Sequence, residues 1–299
     1  MRKRMRIVRA AALIAALAGL PALTGCAPDG TAGESAREAA GDADGNGAAA
    51  STASSQDAGI PPAILGRAAA PAGEDVHYVP GDEATTGYLA VPEGEGPFPS
   101  VILIHEWNGL VDRVRQVADA LAGEGYVALA ADLYAGRTGS SRDENVALMQ
   151  EAQADPDAII ANLDAAQRFL RERPDVSGRI GTIGWCFGGG VALSYAIGGE
   201  NHDGTAIFYG RLVTDPELLS SVDHPIYGTF AEMDSGIPPA EVERFTAALR
   251  EAGIENDIHI YDDVQHGFWL WVDRDPETNA DPARDAWDRL RAYLGRVLG

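Results

Sequence analysis

Cysteine is scarce in this chain: Cys26 and Cys186 are the only two in 299 residues. That count excludes a disulfide-stapled scaffold and a four-cysteine zinc module. Lysine is scarcer still, with Lys3 the single example and arginine at every other basic position. Positive charge is short overall, 23 basic against 45 acidic residues, a formal net charge of −22. A nucleic-acid-binding role is excluded by that balance, because phosphate recognition needs clustered cations. A long hydrophobic run is missing too. The apolar stretch from Ala10 to Leu23 falls short of the roughly 20 residues that a spanning helix requires.

That short stretch has its own meaning. It follows the basic residues Arg2, Lys3, Arg4, Arg6 and Arg9, and it ends in Leu23-Thr24-Gly25-Cys26. Basic region, apolar region and small residues before a cysteine read as a lipoprotein signal peptide over residues 1–25. Cys26 then becomes an acylated N-terminus, and the alternative is an ordinary cleaved signal peptide. Acylation predicts an exported protein held at the cell envelope by lipid. Removing residues 1–25 removes five basic residues and no acidic one, leaving 18 basic against 45 acidic, a formal −27. If Cys26 carries lipid, no internal disulfide can form, and Cys186 is a lone thiol in an exported domain.

Residues 27 to about 72 contain no aromatic residue and are rich in Ala, Gly, Ser and Asp. Such a segment buries too little apolar surface to offset its ordering entropy, so a flexible tether is predicted over 26–74. No internal repeat is visible. From residue 75 to 299 the pattern alternates between strand and helix. Continuous apolar runs such as "SVILIHE" (100–106) and "YVALAADLY" (126–134) suit strands buried on both faces. Helical spacing follows at 111–125, 145–173, 239–253 and 282–298. Alternation of this kind predicts an α/β fold with a mainly parallel sheet and helices on both faces. Ligands of such sheets sit at the carboxyl ends of the strands.

The predicted strand ends present Glu106, Asp132, Cys186, Asp234 and His266. Asp132 reads as structural, bonding loop amides. Gly184-Trp185-Cys186-Phe187-Gly188 fits the nucleophile elbow, with cysteine where serine is more usual. The glycines permit an abrupt strand-to-helix turn, and the turn sets the sulfur at a helix N-terminus that favours thiolate. The Phe187 amide then faces a developing oxyanion. Alone, this cysteine could equally be packed core. Asp234 and His266 follow it in the order nucleophile, acid, histidine, which is the chain order of α/β-hydrolases. Glu232 and Asp223 compete with Asp234 for the acid role.

Together these residues resemble the dienelactone hydrolase family of α/β-hydrolases. The resemblance spans residues 75–299 through "HEWNGL" (105–110), "ADLYAGR" (131–137), "GWCFGGG" (184–190), "HPIYGTFAEMDSGIP" (224–238) and "QHGFW" (265–269). It implies an α/β-hydrolase fold and hydrolysis of a carboxylic ester, lactone or thioester through a Cys186 acyl-enzyme, with no metal and no cofactor. It also implies that Glu106 keeps the resting thiol neutral and accepts its proton when substrate binds, and that the Trp107 amide is the second oxyanion donor. Arg137 is implied as a substrate-carboxylate ligand. After His266, where the family carries a second arginine, stands Leu270. Trp107, Phe187, Phe268 and Trp269 suggest an aromatic-lined pocket, with Trp269 as a substrate contact. The expected partners are a small ester or lactone and a lipid anchor, and a monomer is favoured. The other class of reading is a catalytically silent envelope binding protein with a hydrolase fold; the intact Cys186, Asp234, His266 and Glu106 argue against it.

Overall fold

A computed structural model describes residues 59–299. Eight strands form one sheet: β1 (Glu74–Val76), β2 (Gly87–Ala90), β3 (Phe98–Ile104), β4 (Val127–Ala131), β5 (Val176–Trp185), β6 (Gly204–Phe208), β7 (Ile226–Ala231) and β8 (Asn256–Tyr261). Their order is β1-β2-β4-β3-β5-β6-β7-β8. The two pairings β1–β2 and β2–β4 are antiparallel and the other five are parallel. Among the described residues seven α-helices cover it: α1 (Asp112–Gly123), α2 (Arg142–Gln153), α3 (Pro156–Arg171), α4 (Phe187–Gly198), the short α5 (Pro216–Leu219), α6 (Pro239–Glu251) and α7 (Pro276–Leu298). Among the described residues no helix is long and apolar enough to cross a membrane.

Alternation of side chains along the strands divides the core. Val101, Leu103, Ile183 and Phe208 face α1 and α7 on one side. Ile102, Ile104 and Leu129 face α3 and α4 on the other. Because both faces are covered, the strands read as unbroken apolar runs. Caps fix the helix starts: Ser141 accepts from the Glu144 amide, Asp155 from Ala158 and Asp275 from Thr278. Asp275 with Pro276 behind it starts α7 six residues earlier than the predicted 282, so Pro282 lies inside the helix.

The N-terminal boundary needs correction. The predicted tether reached residue 74, but Ile60, Ala63, Ile64 and Leu65 are buried in the same core cluster as α7. Ile64 O accepts from the Val272 amide at 3.1 Å, and Ala72 N donates to Asp119 at 3.0 Å. Strand β1 then adds to the sheet edge. The sequence "IPPAIL" supplies apolar side chains that the surrounding Ala and Gly mask in an averaged composition. Residues 59–74 therefore belong to the folded domain. The predicted signal peptide, Cys26 and the rest of the predicted tether lie outside the described residues.

Candidate active site

Strand β5 ends at Trp185 and α4 begins at Phe187, so Cys186 alone makes the turn. Its backbone sits at φ 54°, ψ −115°, a left-handed geometry that costs an L-residue on the order of 1–3 kcal/mol. Three things hold it there. Cys186 N donates to Phe208 O at 3.0 Å, and Cys186 O accepts from Gly189 N at 3.1 Å and Gly190 N at 3.3 Å. The glycines allow close approach: a Cβ at Gly184 would lie 2.1 Å from Gly188 O, and one at Gly188 would lie 2.1 Å from Ile104 O. The thiol is buried, with 4% of the residue exposed. Phe187 is the first helical residue, so its N–H has no acceptor within the helix.

Glu106 stands beside this turn because of strand register. Ile104 of β3 pairs with Gly184 of β5 in parallel, so Glu106 and Cys186 each lie two residues past a matched pair. His105 braces the step between. Its Nε2 accepts from Leu133 N at 3.2 Å, which leaves the Nδ1 proton to donate to Glu106 O at 2.6 Å. Burial holds this imidazole neutral by lowering its pKa. The Glu106 carboxylate is itself buried and accepts from Trp271 Nε1 at 2.7 Å.

His266 and Asp234 form the other half. Asp234 Oδ2 lies 2.6 Å from His266 Nδ1. Asp234 Oδ1 accepts from the amides of Gly236 at 2.8 Å and Ile237 at 3.2 Å. The carboxylate is thereby fixed, and the ring nitrogen it faces must carry the proton, so that Nε2 is the unprotonated nitrogen of the neutral ring. The competing acids are engaged elsewhere. Glu232 accepts from the Asp263 amide, and Asp223 sits beside Asn201 and His224 at the opposite end of the sheet. Asp132 accepts from the amides of Tyr134 and Thr86, the structural role predicted for it.

Tyr209 links the two halves and was missed by sequence reasoning. It follows β6 at φ 39°. Its ring centroid is 4.9 Å from that of His266, and its hydroxyl accepts from Leu270 N at 3.3 Å. Burial pushes the phenol pKa far up, and the nearby Glu106 carboxylate acts in the same direction. Inside "AIFYG" a tyrosine reads as core; only its place just past a strand end could have marked it. Trp271 was missed for the same reason, as one more aromatic after the histidine.

One predicted substrate contact turns out differently. Trp269 has 0% exposure and stacks on Trp185 at 5.7 Å and 14°. It is core, with no surface left for a ligand. Arg137 lines a cleft of about 390 Å3 with Leu133, Tyr134 and Leu148. Its fork is filled by Glu151, through Nη1 at 2.9 Å and Nη2 at 2.7 Å. Trp107 lies on the turn after β3, partly buried, with the Gly109 amide donating to Glu106 O at 3.3 Å.

Residues 85–298 match the model of the dienelactone hydrolase family. A Methylorubrum extorquens protein named "Putative carboxymethylenebutenolidase" is 32% identical over 226 residues, covering 71% of this chain and 77% of that protein. A protein of the same name from Escherichia coli K12 is 28% identical over 273 residues, covering 83% and 98%. Among solved structures, a dienelactone hydrolase-like promiscuous phosphotriesterase from metagenomic libraries superposes with a TM-score of 0.67 at 22% identity, covering 77% of this chain and all of that one. The sheet order, the cysteine elbow and the matched span agree: this chain belongs to the dienelactone hydrolase family of hydrolases.

Proposed function

We propose that the domain hydrolyses a carboxylic ester, lactone or thioester through a Cys186-His266-Asp234 triad. The observation that carries this is the 2.6 Å Asp234–His266 contact, set at the same strand ends as a cysteine held at φ 54° on a helix N-terminus. In the first step the Cys186 thiolate adds to the substrate carbonyl carbon, and the carbonyl π electrons move onto oxygen. The amides of Phe187 and Trp107 receive that oxyanion. Collapse re-forms the carbonyl and breaks the bond to the leaving alkoxide or thiolate, which takes the thiol proton that Glu106 has accepted. Water then attacks the acyl-enzyme, giving its proton to His266, and Cys186 leaves as thiolate and takes that proton back from His266, which restores the neutral thiol. Glu106 holds the proton balance of the resting thiol, accepting the thiol proton when substrate displaces it. We further propose that Cys26 is acylated and anchors the domain at the extracytoplasmic face of a membrane, with residues 26–58 as the tether.

Turnover of p-nitrophenyl acetate by the wild type and Cys186→Ala tests the enzymatic reading. Loss of turnover in the variant is expected, with a burst of p-nitrophenol in the wild type marking the acyl-enzyme. Equal rates in the two proteins would remove Cys186 from the chemistry.

A further inference from the structure

Glu106 has a partner that does not belong to the triad. Trp271 Nε1 donates to Glu106 Oε2 at 2.7 Å, across 165 positions of sequence. The indole is itself gripped. The Arg113 guanidinium carbon lies 4.5 Å from its ring centroid and that of Arg274 lies 4.4 Å away. Cations against an indole are attracted by its quadrupole, and they draw density from the ring. The N–H is thereby made a stronger donor. Arg113 is fixed in turn. It donates to Ile64 O at 3.0 Å and Leu270 O at 3.3 Å, and it pairs with both oxygens of Asp273 at 3.1 and 2.8 Å. Ile64 O also accepts from the Val272 amide at 3.1 Å. The segment 59–66 and the stretch 270–274 are thus pinned together under one indole ring.

We propose that Trp271 is a positioning residue that sets the basicity of Glu106 and so keeps Cys186 a neutral thiol at rest, with Arg113 and the segment around Ile64 holding Trp271 in place. The inference rests on the proposed role of Glu106 as acceptor of the thiol proton. One proton is shared between two sites: Sγ with Glu106 ionised, or Glu106 with Sγ as thiolate. A hydrogen bond to the ionised carboxylate weights the first state. Losing a charge-assisted hydrogen bond shifts such a balance by about 10- to 100-fold. The proton only changes owner, so the balance is complete without a co-reactant.

The test is the rate of Cys186 alkylation by iodoacetamide from pH 5 to 10 on the full chain, read at the Cys186 peptide by mass spectrometry so that Cys26 does not interfere. Trp271→Phe keeps a ring and removes the N–H. It should alkylate about tenfold faster or more at pH 7, with the profile moved to lower pH. In the double variant with Glu106→Gln the gain should vanish, since no carboxylate remains to take the proton. An unchanged profile in Trp271→Phe, while Glu106→Gln alone changes it, overturns the proposal. An unchanged profile in Glu106→Gln shows instead that the reading of Glu106 as thiol guard has failed. Should Trp271→Phe not fold, Arg274→Gln at an exposed position decides. Removing a cation near a thiol by itself slows alkylation; a weakened indole donor speeds it, here by about two- to threefold. Slower or equal alkylation overturns the proposal.

Discussion

Alanine at Gly188 should damage both stability and turnover, and the structure sets the size. The new Cβ would lie 2.1 Å from Ile104 O, 2.5 Å from His105 O and 2.7 Å from Ile104 C. Ordinary carbon–oxygen contact is well over an ångström longer, and all three atoms are backbone. No side chain can rotate away to make room. Either α4 lifts from the sheet or the end of β3 gives. Overpacking costs about 1–3 kcal/mol where neighbours can shift, and a backbone-only contact belongs at the upper end, about 3 kcal/mol. For a domain of this size that lowers the melting temperature by roughly 6–12 °C. The displaced end of β3 carries Glu106 and Trp107, so kcat/KM for p-nitrophenyl acetate should fall by about 100-fold, as expected for a misplacement near 1 Å. Gly295 is the control. It lies inside α7 with nothing within 4 Å of a new Cβ, and alanine there should raise stability by about 0.5–1 kcal/mol. Thermal unfolding followed by circular dichroism and steady-state ester hydrolysis measure both. A Gly188→Ala protein that melts within 2 °C of wild type and keeps its activity would refute the close-approach argument for the elbow.

Two further outcomes are expected. Asp234→Asn leaves the loop amides an acceptor but cannot fix the imidazole tautomer, so kcat should fall by roughly 10⁴-fold with KM little changed; a loss below tenfold in steady-state kinetics would separate Asp234 from the chemistry. Acid should destabilise the fold through a pair of histidines at the other end of the sheet. Burial holds His202 down to about 3 and His224 down to about 4, from an ordinary 6.5. Both rings bond Thr205 Oγ1 at 2.9 Å. The unfolded chain takes up these protons first, so their stability contribution is whole above pH 6.5 and is lost as pH falls toward 4. At pH 5 the loss is about 2 kcal/mol for each ring. Urea unfolding at pH 7 and pH 5 should show a smaller pH effect in His224→Asn than in wild type, and an equal effect would assign the acid sensitivity elsewhere.

The alternating pattern made the sheet and most helices legible in the sequence, because strands covered on both faces leave an apolar signature that survives without context. "GWCFGGG" was legible for a different reason: a turn that admits no Cβ at two positions leaves glycines at fixed offsets from Cys186. Asp234 and His266 could be placed by counting to strand ends, and their 2.6 Å contact agrees with that placement. Segment 59–66 was not legible. Its four buried side chains are buried by α7 and the 270s loop, more than 200 residues away in sequence, and composition averaged over 27–72 dilutes them. Trp269 and Trp271 show the same limit more sharply. They stand two positions apart in "FWLWVD". One stacks in the core on Trp185 and the other turns its N–H to Glu106.

That difference is made by residues that carry no motif. At the second tryptophan the chain leaves the His266 loop for the 3-10 turn Val272–Arg274, where Ile64 and Arg113 take hold of it. Without that grip the indole of Trp271 has no fixed direction, and the buried carboxylate of Glu106 loses a charge-assisted donor. The chain that leaves the predicted tether therefore reaches, through Ile64, Arg113 and Trp271, the carboxylate of Glu106. The segment that sequence composition assigns to the linker is connected to Glu106 by two hydrogen bonds and one cation–ring contact.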